Sequence, residues 1–136
     1  MLTGMICPFC NSDTKVTNSR PNNTHPEVWR RRQCKSCESI WTTREYVDLS
    51  MSHRVRTRHK RLQAFSRDIL LFSIKDSLSH RKSSQTDAPG LTDTVLERLI
   101  ALNQPIIETQ TIIEITQGVL YHFDQTASAV YTAKNN

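Results

Sequence analysis

Long apolar runs are missing from this 136-residue chain: a fully apolar stretch reaches only four residues, as at 69–72, against the ~20 needed to cross a bilayer. A soluble protein without a membrane partner is therefore expected. Residues 1–5 lack both the charged start and the apolar core of an export signal, so a cytoplasmic location is expected. Cysteine is scarce too. Its four copies, Cys7, Cys10, Cys34 and Cys37, are all taken up by two Cys-x-x-Cys pairs, which leaves no thiol for a nucleophile or a further disulfide. No Ser/His/Asp set or carboxylate pair stands out, and His25, His53, His59, His80 and His122 are scattered without ligand spacing, reading as surface or loop residues. An enzyme is not expected. Internal repeats and low-complexity tracts are absent as well.

What is present is organised around residues 7–47. Two thiolates three residues apart can face one divalent ion, and two such pairs complete the closed tetrahedral S4 shell of a structural zinc site. Redox pairs normally come singly beside a βαβ pattern, so the doubled spacing points to metal. A two-disulfide secreted domain is the competing reading, weakened by the lack of an export segment.

Charge is unevenly spread. Residues 1–61 hold 12 Lys+Arg against 5 Asp+Glu, whereas residues 62–136 hold 6 against 8. A basic first half with metal knuckles suggests a polyanion partner. Two domains are expected, 1–49 and 50–136, in an α+β fold with short antiparallel strands followed by helices. In the first half, 14–17, 28–33 and 40–47 read as strands and 20–26 as a loop. So few apolar residues lie there that metal must supply folding energy. Residues 51–61 are either a solvated linker or a hairpin. Beyond them, Ser66 caps a helix over 67–79 with Ile69, Leu70, Ile74 and Leu78 as its apolar face and Phe72 at the margin, and 81–90 reads as a loop ending in Pro89-Gly90. Thr92 caps 93–103, with Val95, Leu96, Leu99 and Ile100 inside. Thr111 and Glu114 fit a capping box for a helix to about Phe123 with Ile112, Ile115 and Leu120 inside, and Asp124 caps a last helix containing Ala127, Val130 and Tyr131.

Arg30, Arg31 and Arg32 precede Cys34 on an extended strand, where Arg30 and Arg32 share one face and Arg31 lies on the other with Trp29 and Gln33. Guanidinium forks suit phosphate oxygens and the guanine edge. A solvated face is the bland alternative, but a zinc scaffold that orders adjacent like charges favours an anionic partner.

Cys7-Pro-Phe-Cys10, Thr14-Lys15-Val16, Ser19-Arg20-Pro21, Arg30-Arg31-Arg32-x-Cys34, Cys37 and Trp41-Thr42-Thr43-x-Glu45, in that order, resemble the zinc ribbon of the NrdR family, bacterial transcriptional repressors of ribonucleotide reductase genes. Trp29 stands where the family usually has the first of four arginines, Asn18 for an aspartate, Trp41 for a phenylalanine and Arg44 for a tyrosine. The resemblance implies zinc on Cys7, Cys10, Cys34 and Cys37, and double-stranded DNA contacted by Arg20, Arg30, Arg31, Arg32 and Arg44. It also implies a homo-oligomer on paired operator half-sites. An ATP-cone follows in that family, a hairpin plus helices that binds ATP or dATP, and residues 55–65 with Asp124-x-x-Ala127-x-x-x-Tyr131 are similar to it. At its nucleotide-contacting positions Thr57 replaces a lysine, Lys60 the turn glycine, Gln63 an acid and Ile69 a second lysine. The cone-like half is thus expected either to serve oligomerisation or to sense nucleotide through a rearranged site drawn from Arg56, Arg58, Lys60, Arg61 and Thr109. A zinc-ribbon accessory protein binding RNA or a nucleoprotein machine, with a helical interaction domain, is the alternative.

Overall fold

The computed structural model describes residues 4–136; the reading of residues 1–5 as lacking an export signal lies mostly outside them. Two compact units form, divided between Val47 and Asp48. No helix among the described residues is long and apolar enough to cross a membrane.

The first unit is a three-stranded antiparallel sheet in the order β1 (Thr14–Pro21), β2 (Glu27–Cys34), β3 (Ile40–Tyr46). β1 runs further than the expected 14–17, because Asn18, Ser19 and Arg20 pair with Arg31, Arg30 and Trp29. Pro21 is tolerated at the end of an edge strand, where a missing N–H breaks no central ladder. Thr17 is the extra residue of a bulge between Val16 and Asn18, and its hydroxyl donates to the Arg31 carbonyl at 3.3 Å. The loop is correspondingly shorter. It closes through Asn22 N–H to the Glu27 carbonyl at 2.8 Å, with Asn22 Oδ1 accepting from Thr24 N–H at 2.9 Å.

The second unit opens with a short helix α1 (Leu49–Ser52), capped by Asp48 Oδ1 accepting from Ser50 N–H at 3.0 Å. Strands β4 (Arg54–Arg56) and β5 (Leu62–Ala64) then form a hairpin, and β6 (Ile106–Glu108) lies parallel on the other side of β4. The basic stretch at 51–61 is therefore a hairpin and not a linker. Lys60, where the resemblance put a turn glycine, has φ of 63°, the left-handed region that glycine enters at no steric cost. β6 was not expected from sequence. At three residues it is too short for periodicity to register, and it exists because Val55 and Ile107, both buried, face each other across the ladder.

Four helices make up most of the unit: α2 (Arg67–Ser77), α3 (Ser84–Ile100), α4 (Thr109–Phe123) and α5 (Gln125–Asn135); their buried residues form one core with Val55 and Ile107 of the sheet. Ser66 caps α2 as expected, its hydroxyl accepting from Ile69 N–H at 3.3 Å. The buried stripe is Leu70, Ile74 and Leu78, while Ile69 is 70% exposed and Phe72 62% exposed; Ile69 therefore does not belong to the apolar face.

The larger correction is α3, whose first residues fill the segment expected to be a loop. Its buried stripe is Ala88, Thr92, Val95 and Leu99, spaced for one helical face. Thr92 is thus a core residue, its hydroxyl donating to the Ala88 carbonyl at 2.8 Å, and not a cap. Burial of Ala88 and Thr92 outweighs the local preference of Pro89-Gly90 for a turn. α4 starts two residues before the expected capping box, and its cap position, Glu108, makes no side-chain bond. The chain feeds straight from β6 into the helix, so Thr111 and Glu114 fall inside it. Ile113, Thr116, Val119 and Leu120 are buried there, with Ile112 and Ile115 flanking the core.

Asp124 ends α4 and caps α5. Its Oδ1 accepts from Ala127 N–H at 3.0 Å, while Oδ2 meets His80 Nε2 at 2.9 Å and Arg81 Nη1 at 3.1 Å. Arg81 also lies 4.7 Å over the Phe123 ring, so one carboxylate joins the end of α2 to the α4–α5 corner.

Two outcomes follow from these helices. Pro89 lies beyond the first turn of α3 and withholds the N–H that Gln85 would accept, a loss of ~3 kcal/mol in a helix interior, partly offset by its rigidity in the unfolded chain. Pro89→Ala is expected to stabilise the protein by about 2 kcal/mol, read as a higher denaturation midpoint. The Ala127 N–H, then His80 and Arg81, hold the Asp124 carboxyl well below the usual carboxylate range. A group depressed in the folded state stabilises above its unfolded pKa of ~3.9, and that contribution is lost as pH falls below it. Asp124→Asn keeps the cap acceptor but loses the charge. It is expected to cost about 1–2 kcal/mol at neutral pH and to flatten the acid limb of a stability-against-pH curve.

Candidate metal centre and cationic sheet faces

Each knuckle is the same tight turn. Cys7 N–H donates to the Ser12 carbonyl at 2.9 Å and Cys34 N–H to the Ser39 carbonyl at 2.9 Å. The residue after the second cysteine of each pair, Asn11 or Glu38, has φ of 61°. This left-handed position reverses the chain so that both thiols of a pair face one point. Asparagine tolerates it, whereas glutamate adopts it at a cost. Spacing alone did not reveal these two residues; their matched place after each knuckle is the signal that marks them.

The four sulfurs converge. Cys7 Sγ is 3.7 Å from Cys37 Sγ, Cys10 Sγ is 3.5 Å from Cys34 Sγ, and all four lie within 4.8 Å of one another. Zinc–sulfur bonds of about 2.3 Å in a tetrahedron put the sulfurs about 3.8 Å apart, so the donor set fits a zinc ion by both chemistry and spacing. Backbone N–H groups reinforce the sulfurs: Phe9 N–H points to Cys7 Sγ at 3.4 Å, and Ser36 and Cys37 N–H to Cys34 Sγ at 3.3 Å each. Burial pushes the Cys7 thiol up to about 11, hydrogen bonds from Ser12 pull Cys10 down to about 6, and Ser39 lowers Cys37. A metal ion overrides this spread, since a coordinating thiol is deprotonated outright.

Cys7 and Cys34 are the buried residues of this unit among those described; Phe9, Val16, Ile40 and Tyr46 are 69%, 43%, 52% and 69% exposed. The sulfurs take the place of an apolar core. Trp41, whose buried indole N–H finds no acceptor among the described residues, packs edge-on against Phe9 at 6.1 Å and braces the first knuckle.

The register sorts the arginines, because residues directly opposite in a ladder share a face. Arg20, Trp29 and Arg44 form one row, Asn18, Arg31 and Thr42 the next, and Lys15, Gln33 and Ile40 the third. On the reverse face Ser19, Arg30 and Thr43 form a row beside Val16, Arg32 and Trp41. The five arginines singled out from sequence are thus divided, Arg20, Arg31 and Arg44 on one side and Arg30 and Arg32 on the other. Arg20 stacks over Trp29 at 5.7 Å, and Arg44 forms a close ion pair with Glu27. Glu27 also meets His25 Nε2 at 3.1 Å; Arg44, then His25, hold its carboxyl below the usual range despite burial. Neither Glu27 nor His25 stood out in the sequence, since their relation to Arg44 depends on strand register. Arg31 is exposed and makes no ion pair among the described residues.

In the second unit Arg56 is paired with Glu108 at 2.7 Å. Thr109, the first residue of α4, donates its hydroxyl to the Arg56 carbonyl at 3.1 Å, which ties that helix start to β4. Arg58 donates to the Asn135 carbonyl at 2.9 Å, and Lys60 and Arg61 lie in the hairpin turn. Arg56 and Thr109 are brought together; Arg58 is drawn to the end of α5.

Two matched knuckles closing one four-thiol cluster beside a three-stranded antiparallel sheet define a zinc ribbon, here followed by an α+β unit. A family model described as the N-terminal domain of transcriptional repressor NrdR-like proteins matches residues 5–45. Over 124 residues the chain is 32% identical to the transcriptional repressor NrdR of Nitrosospira multiformis, covering 90% of this chain and 77% of that one. It is 35% identical to its namesakes from a Ruegeria species and from Geobacter sp., with 90% of this chain and 79% and 82% of theirs covered. The chain belongs to the NrdR family, whose members are named as repressors and not as enzymes.

Removing one sulfur tests the centre. Cys34→Ser is expected to lose zinc and collapse the dispersed amide signals of the sheet, measured as bound metal and amide spectra of the intact chain. A folded, zinc-loaded variant would overturn the four-thiol assignment.

Proposed function

We propose that this chain is a zinc-dependent, DNA-binding transcriptional repressor of ribonucleotide reductase genes. Residues 1–49 act as the DNA-binding domain, and residues 50–136 as an ATP-cone-like domain that sets oligomeric state. Cys7, Cys10, Cys34 and Cys37 hold the zinc. The observation that carries the reading is that Arg20 and Arg44, Arg31 in the adjacent row and Lys15 in the next lie on one face of a metal-pinned sheet. Fixed cations on a flat surface suit a duplex, and Arg31, without a carboxylate partner among the described residues, is free to reach a base edge. A module this small binds weakly and with steep salt dependence, so specific binding calls for a homo-oligomer on paired half-sites. Arg58, Lys60 and Arg61 on the β4–β5 turn, with Arg56 at the end of β4 and Thr109 at the start of α4, are the groups that would meet the phosphates of ATP or dATP.

The test is binding of the zinc-loaded chain to a duplex carrying a paired ribonucleotide reductase operator, against scrambled duplex, without nucleotide and with ATP or dATP. Operator preference that changes with nucleotide supports both parts of the reading; preference indifferent to nucleotide retires the sensor, and no preference retires the repressor. Arg31→Ala is expected to weaken operator binding by about 1–3 kcal/mol and scrambled binding by less. Equal losses would make Arg31 a phosphate contact.

A further inference from the structure

The loop end of the Arg31 face carries a carboxylate, out of place on a surface that meets a polyanion. Along β2, Glu27, Trp29 and Arg31 alternate onto one face, so Glu27, opposite Tyr46, lies one row beyond Arg20, Trp29 and Arg44. Its side chain is 13% exposed against 58% for Arg44. Oε1 accepts from Arg44 Nε at 2.5 Å and pairs closely with Nη2, while Oε2 lies 3.1 Å from His25 Nε2. The carboxyl is held below its usual range by Arg44 first and His25 after it, so it is ionised at neutral pH.

The hydrogen bonds around His25 decide what its ring can do. Asn22 Oδ1 accepts from Thr24 N–H at 2.9 Å and from the Thr24 hydroxyl at 2.8 Å. The amide is thereby fixed with Nδ2 towards His25 Nε2, at 2.9 Å. Because the Thr24 hydroxyl spends its proton on Asn22, its oxygen accepts from His25 Nδ1 at 3.1 Å. Nε2 then faces a donor on Asn22 and an acceptor on Glu27, and no one protonation state serves both. Neutral, the ring accepts from Asn22 and turns a lone pair towards the carboxylate, which leaves Glu27 to Arg44. Protonated, it donates to Glu27, which divides its charge between two cations. The charged or titratable groups at this corner are Glu27 of β2, Arg44 and Tyr46 of β3 and Arg20 of β1. Imidazole is the side chain whose charge ordinarily changes between about pH 5 and 8.

We infer that Glu27 is a positioning residue for Arg44 and that protonation of His25 regulates it, uncovering positive charge on the Arg31 face as pH falls. The regulation rests on that face being the DNA-binding surface, whereas the coupling among the three side chains belongs to the free chain. A polyanion favours the form in which two cations share one anion, so binding of duplex takes up a proton at His25 and tightens as pH falls.

The experiment takes the intact, zinc-loaded chain from about pH 6 to about pH 8, with bound zinc confirmed at each step. It follows the His25 ring and Arg44 Nε–H resonances of the free chain and, at fixed ionic strength, the affinity for the paired operator duplex. The Arg44 signal is expected to move with the midpoint of the His25 ring, a comparison that needs no variant, and to stand still in His25→Gln. Over the same range operator affinity is expected to fall about threefold more in the parent chain than in His25→Gln, as suits one exposed charge; the other four histidines are common to both. Glu27→Gln, which keeps the size and loses the charge, is expected to uncouple Arg44 from the ring. An Arg44 signal indifferent to His25 would overturn the positioning role, and equal pH responses in the parent and His25→Gln would overturn the regulation. Failure to bind duplex at any pH would overturn the DNA reading and the regulation with it, while the free-chain resonances still decide whether Glu27 positions Arg44.

Discussion

The ribbon depends on sulfur where other small domains depend on leucine. With Cys7 and Cys34 as its buried residues among those described, Phe9, Val16, Ile40 and Tyr46 exposed and its tryptophans only half-buried, the unit has little hydrophobic driving force to set against chain entropy. Coordination by four thiolates, of order 10–16 kcal/mol in small zinc modules, supplies the missing term. The sheet is consequently rigid where it meets the metal, and β2, which ends in Cys34, is the strand held most directly. The arginines lie on that strand. Their positions relative to one another are set by metal coordination and strand pairing, and not by packing of their own side chains.

Strand alternation then gives one short sequence two different surfaces. Arg31 faces one side with the stacked Arg20 and the paired Arg44, while Arg30 and Arg32 face the other. A helix would have spread three consecutive arginines around its circumference. On a three-stranded sheet they are separated cleanly, and the ladder partners decide which charge is neutralised: Glu27 serves Arg44, Glu45 loosely serves Arg30 at 3.5 Å, and Arg31 and Arg32 are left with donors to spare among the described residues.

How much of this was legible in the sequence depends on the range of the interaction. The four thiols were legible because two of each are three residues apart, and the division of the arginines because alternation is local. The cap residues Ser66 and Asp124 were read correctly for the same reason. The left-handed Asn11 and Glu38 were missed, since neither residue type announces that conformation. In the second unit, Pro89-Gly90 carried a strong local turn signal that burial of Ala88 and Thr92 overrode, and Ile69 fits a helical stripe on paper but points away from the neighbouring elements. β6 was invisible because its reason for existing, Val55 on β4, lies far away in the chain.

That distance shapes how the second unit is made. The Arg56–Glu108 pair at the end of the parallel β4–β6 ladder joins residues 52 apart in sequence, and a parallel strand cannot be reached by a tight turn. The β4–β6 pairing must close over the whole α2–α3 segment, so it costs more loop entropy than the local β4–β5 hairpin beside it. Val55 and Ile107, at the middle of the ladder, are buried in one core with the apolar residues of the helices, so the pairing between them opens to water only when that core opens. Three-residue strands of this kind act less as scaffold than as a latch, recording whether the whole unit is closed.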